Sequence, residues 1–71
     1  MHRYLILIEA TPTGYSAYSP DLPGCIAAGA SQADVERAMR EAIELHLEGL
    51  RDAGLPIPVG ATSAASVEVA A

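Results

Sequence analysis

Arg3-Tyr4-Leu5-Ile6-Leu7-Ile8-Glu9-Ala10 is the stretch on which the fold turns. It is aliphatic and rich in β-branched residues, with no polar residue between Tyr4 and Ile8, so residues 3–10 read as a strand. Both alternating sets are apolar, Tyr4, Ile6 and Ile8 on one face and Leu5 and Leu7 on the other. A strand with two apolar faces is covered on both sides and belongs in the middle of a sheet.

Working outward, Thr11-Pro12-Thr13-Gly14 reads as a turn in which Gly14 supplies a positive φ, and residues 15–19 return as a second strand. Tyr15 and Ala17 face one way there, Ser16 and Tyr18 the other. Pro20-Asp21-Leu22-Pro23-Gly24 is the sharpest punctuation in the chain. Each Pro holds its predecessor extended, and Pro-Gly fits the central positions of a type II turn. Residues 25–30, small and ending at Gly29, form a third short strand.

A helix follows. Ser31 with Asp34 three residues on resembles a capping box with Asp in place of Glu, and Gly54 stands where a C′ stop is expected. At about 100° per residue, Ala38, Met39, Ala42, Ile43, Leu45, His46, Gly49 and Leu50 gather around Val35. The charged side chains occupy the remaining arc, so the first set is expected to be the buried face. Leu55-Pro56-Ile57-Pro58 breaks the helix and opens a connector over 55–65, whose second half, small and Gly-containing, reads as mobile. Ser66-Val67-Glu68-Val69-Ala70 alternates like a terminal strand.

The expected fold is therefore α+β, a single domain over 1–71 with its core in 3–58 and the order β-β-β-α-β. Three strands form an antiparallel meander. A right-handed crossover through the helix then sets the last strand, 66–70, parallel to the first, giving sheet order 3-2-1-4. One sheet face takes the helix. The other has no second layer in the chain, so it, or a sheet edge, is expected to be closed by another copy of the protein or by a partner.

Composition agrees with a need for company. Of 36 apolar residues 14 are Ala, and there is no Phe or Trp, so the core of this 71-residue chain is thin. One Cys excludes a disulfide framework. Four Arg against nine carboxylates, a net charge of −5, disfavour a phosphate-binding surface and suit a basic protein partner. No stretch reads as a signal peptide or membrane span, which places the chain in the cytoplasm with Cys25 reduced.

Few residues invite chemistry. His46 sits within the apolar arc, but the same-face neighbours Ala42, Ile43, Gly49 and Leu50 offer no second acid or base, so its expected role is packing or a subunit contact. Cys25 has no base beside it and reads as a small buried residue. Asp21 is expected to cap its own turn rather than touch a partner. Leu47, about 120° from the arc centre and among charged neighbours, is a possible interface residue. No catalytic residue, cofactor site or metal site is assigned.

Taken together, Gly14-Tyr15, the run Ala17-Tyr18-Ser19-Pro20-Asp21-Leu22-Pro23-Gly24-Cys25, Gly29, the helix ending Glu41-Ala42-Ile43-Glu44-Leu45-His46-Leu47-Glu48-Gly49-Leu50, and Gly54-Leu55-Pro56-Ile57-Pro58 resemble the HicB-like antitoxin family. The resemblance implies a partial ribonuclease-H-like fold of the topology derived above. It also implies a homo-oligomeric antitoxin of a type II pair, neutralising a small basic HicA-type mRNA-cleaving toxin by direct binding. The motif turn Asp21, Leu22, Pro23, Gly24 and Cys25 is then structural and a possible partner contact. Two features depart from the family pattern: Val59-Gly60 follows Pro58, and no helix-turn-helix or ribbon-helix-helix segment follows, so no direct nucleic-acid binding is expected of this chain. Nuclease chemistry is not expected either. It needs several carboxylates converging on metal ions, and only Glu9 lies near the end of the first strand. The alternatives are a standalone oligomeric scaffold or regulatory domain that kept the fold without a toxin, and a small enzyme using His46 or Glu9.

Overall fold

The computed structural model describes residues 2–71; Met1, the first residue of the domain expected over 1–71, lies outside them. Three strands, β1 (Leu7–Thr11), β2 (Gly14–Tyr18) and β3 (Ile26–Gly29), precede one helix, α1 (Gln32–Asp52). The strands form an antiparallel sheet in the order β1-β2-β3. An α+β architecture with a meander and one covering helix is thus what the chain adopts.

Register sorts the side chains. Ile8, Ala17 and Ala27 lie side by side across the three strands on the face that meets α1, where Ala17 joins Val35 and Met39 in the buried core. Leu7, Tyr18 and Ile26 form the corresponding row on the opposite face, with Glu9, Ser16 and Ala28 next to them. The helix packs mainly on β3 and then β2. Ser31 caps it, its hydroxyl accepting from the Asp34 N–H at 3.1 Å. Gly54, at φ +70°, ends it.

Three expectations are corrected. The first strand begins at Leu7, not Arg3, because β2 ends at Tyr18 and the chain turns away at Pro20, so residues 3–6 have no ladder to join. The Leu5 carbonyl accepts from the Ser19 hydroxyl at 3.0 Å instead. Second, residues 66–70 are exposed and have no strand partner among the described residues, whose sheet has three strands with β1 at its edge rather than its centre. After α1 the chain is tied instead to Tyr4 through Pro58 and to Asp21 through Ala61 and Thr62. Third, the buried helical face is rotated toward Leu47. Leu45, placed in the apolar arc, is 70% exposed, while Leu47 is 8% exposed within the core cluster. Leu45 and Leu47 flank the arc on opposite sides, and Tyr4 and Ile6 pack against the core on the Leu47 side.

Candidate functional site

The most distinctive local structure grows out of the Pro-Asp-Leu-Pro-Gly-Cys run. Pro23 and Gly24 occupy the middle of a turn in which the Cys25 N–H donates to the Leu22 carbonyl at 3.0 Å. Gly24 has φ +84°, the conformation a type II turn demands at that position and that a side chain would strain. Two further backbone bonds, Leu22 N–H to the Ser19 carbonyl at 3.1 Å and Ser19 N–H to the Cys25 carbonyl at 3.3 Å, close the loop on itself. The loop drives Leu22 wholly into the core beside Cys25, Val35 and Met39. Burial pushes the Cys25 thiol up from its ordinary value, which disfavours the thiolate a nucleophile would need.

Asp21 faces the other way, and its role differs from the one expected. Its carboxylate accepts from the backbone N–H groups of Ala61 and Thr62, both at 3.1 Å, and from the Thr62 hydroxyl at 2.8 Å. These bonds, led by that from the Thr62 N–H, hold its carboxyl below the usual carboxylate range. Asp21 therefore clamps a segment some forty residues away and does not cap its own turn. The second half of the connector, expected to be mobile, is a strap fixed at 61–62. Ile57 packs on the core, the Tyr4 hydroxyl donates to the Pro58 carbonyl at 2.5 Å, and Gly60 crosses so close to the Arg3 carbonyl that a Cβ there would collide with it. Nothing in the local sequence around Asp21 signals a partner so distant.

The remaining candidates are not brought together. His46 is half-buried on α1. Leu47 lies at the core margin and lines an open groove of about 560 Å³, together with Arg3, Tyr4, Ile6, Arg40 and Ile43 among others. Glu9 is exposed on β1, and its cross-strand neighbour Ser16 offers no second carboxylate. Among the described residues, no group of three His, Cys, Asp or Glu side chains is placed to hold a metal ion. No described helix is long and apolar enough to cross a membrane.

Two uncovered surfaces stand out among the described residues. One is the sheet face away from α1, where Tyr18 is 41% and Ile26 70% exposed beside half-buried Leu7. The other is the edge of β1 with the adjoining groove.

Known proteins resemble this chain. An uncharacterized 14.9 kDa protein from the rep-hol intergenic region of Haemophilus phage HP1 is 36% identical over 55 residues, 78% of this chain and 41% of the phage protein. A UPF0150 protein of Helicobacter pylori is 43% identical over 44 residues, 62% of this chain and 61% of that protein. The chain thus spans less than two thirds of either relative. Among solved structures, a chain of a HicA3 and HicB3 toxin-antitoxin complex matches with a TM-score of 0.72 and 37% identity, covering 84% of this chain and 70% of that one. The crystal structure of antitoxin HicB3 gives the same TM-score and identity, covering 84% of this chain and 44% of the other. The family described as HicB-like antitoxin of bacterial toxin-antitoxin systems matches residues 4–70, which take in the motif turn, the helix and the strap, and the chain belongs to that family.

Proposed function

We propose that this protein is the antitoxin of a type II pair and neutralises a small, basic HicA-type ribonuclease by binding it directly, without catalysing any reaction. The observation that carries this reading is the match, at 37% identity over 84% of the chain, to a structure determined as a toxin-antitoxin complex. Physical chemistry supports it. A net charge of −5 steers a basic protein into encounter. The apolar row Leu7-Tyr18-Ile26, crossing all three strands without a covering layer, supplies a surface whose burial rewards contact. In this reading the toxin meets that face, Asp21 to Cys25 hold it in shape, and the likeness to ribonuclease H extends to the fold alone. The domain works in the cytoplasm, where such a toxin meets mRNA. It associates with copies of itself and makes no direct contact with nucleic acid.

The test is co-expression of a tagged copy with the small Lys/Arg-rich protein of the neighbouring reading frame. The expected result is a complex that survives purification and restores growth arrested by the toxin alone. Failure to form a complex with a toxin that does arrest growth would overturn the reading.

A further inference from the structure

We infer that residues 63–71 form an exchanged arm: the strand missing from the sheet of one copy is supplied by residues 66–70 of a second copy, laid along the free edge of β1 and over the groove between residues 2–6 and α1. This deepens the self-association proposed above and does not depend on the toxin.

Among the described residues of its own chain the arm has no strand partner. Residues 59–71 are all exposed, with Val67 81% and Val69 80% accessible. The strap that precedes it is fixed by Asp21, so the arm starts from a firm anchor instead of a loose end. From Thr62 onward nine residues can reach about 30 Å. The molecule is elongated: its longest dimension is 49 Å, whereas α1 spans only about 32 Å, and its radius of gyration is 13.9 Å against about 11 Å for a compact chain of this length.

The arm has the pattern of a strand with one face to bury. Val67 and Val69 share one side, while Ser66, Glu68 and Ala70 share the other. Five residues, 66–70, are enough to pair with the start of β1 and with residues 4–6 that lead into it. Along the outer side of β1 the backbone groups have no ladder partner, an arrangement that recruits an added strand.

The groove explains which surface the two valines would cover. It lies between Tyr4 and Ile6, which continue β1 backward, and the flank of α1 carrying Glu36, Arg40, Ile43, Glu44 and Leu47. A strand added beside β1 puts its inward side chains over this gap, because α1 sits over β3 and β2 and leaves the β1 side of the sheet less covered. The charges along it balance, Arg3 and Arg40 against Glu36 and Glu44. A nearly uncharged strand therefore suits it better than a strongly basic protein does. Reciprocal exchange between two copies closes both edges at once and leaves no growing end.

Isotope-filtered NMR on a mixture of labelled and unlabelled full-length protein, with the molecular mass measured in parallel, tests the exchange. Contacts between the Val67 and Val69 methyls of one copy and Ile6 or Ile43 of the other, in a dimer, are expected. The double variant Val67→Glu/Val69→Glu changes only exposed side chains, so it should keep the helical circular dichroism of the parent while its dimer dissociation constant rises at least a hundredfold. A dimer that lacks those contacts and is unmoved by the double variant would overturn the exchange while leaving self-association standing. A monomer throughout would overturn both.

Discussion

Asp21 and Thr62, forty-one positions apart, are joined twice, through the Thr62 N–H at 3.1 Å and its hydroxyl at 2.8 Å. One carboxylate on the outside of a turn thereby fixes where the chain goes after the helix, and so where the arm begins. Its depressed pKa states the linkage. A group whose folded pKa lies below its unfolded value contributes stability above the unfolded value and loses it as pH falls through the folded one. The Ala61 and Thr62 amides are therefore expected to keep their chemical shifts and slow exchange at neutral pH. They should lose both together on acidification below the ordinary carboxylate range. Asp21→Ala should release them at every pH, and a strap that stays protected in that variant would show that Ile57, Pro58 and Gly60 suffice to hold it.

Leu22 is the largest residue that the motif turn commits to the core. Leu22→Ala leaves a void bounded by Val35 and Met39, with a cost of about 2 to 5 kcal/mol. Urea unfolding at fixed protein concentration measures it, the concentration being held because self-association would add to the apparent stability. A loss under about 1 kcal/mol would mean that the turn collapses to fill the gap.

Cys25 shares that environment. With its thiol pKa raised by burial, it should react with iodoacetamide at pH 8 far more slowly than a free cysteine does. In Leu22→Ala it should become markedly more reactive as the turn loosens. Equal rates in the parent and in unfolded protein would contradict the packing described here.

Local physics made most of the fold legible. A β-branched aliphatic run and the turns at Gly14 and Pro23-Gly24 placed the meander, Ser31 and Gly54 bracketed α1, and Pro23-Gly24 specified a turn type that the backbone adopts. The misses share one origin, in that each depended on what lies beyond a residue's neighbours. Leu45 and Leu47 stand on opposite margins of the apolar arc, and the path of residues 4–6 decides which margin is covered. Residues 66–70 alternate as a strand should, yet alternation names no partner and the chain supplies none. Asp21 has the composition of a turn cap, and a clamp across forty residues leaves no periodic trace. The two-sided apolarity of residues 4–8 reads as a central strand, whereas β1 lies at the sheet edge; the exchange proposed above would give it a central position.

The open sheet face carries the remaining prediction. Tyr18 and Ile26 are cross-strand neighbours, both exposed on the side away from α1, so neither contributes much to the folded core. Tyr18→Glu and Ile26→Glu should each change unfolding free energy by no more than about 0.5 kcal/mol, the usual range for surface positions. Either change inserts a charge into what the proposed complex buries, where an unpaired carboxylate costs several kcal/mol. Affinity for the toxin, measured by calorimetry, should fall at least tenfold, and rescue of growth should fail in parallel. Leu45→Glu, as exposed as Ile26 but on the margin of α1 opposite Leu47, serves as the control and should leave both unchanged. If Leu45→Glu abolished binding while Tyr18→Glu and Ile26→Glu did not, the toxin would be meeting the helix, and the sheet face would need another occupant.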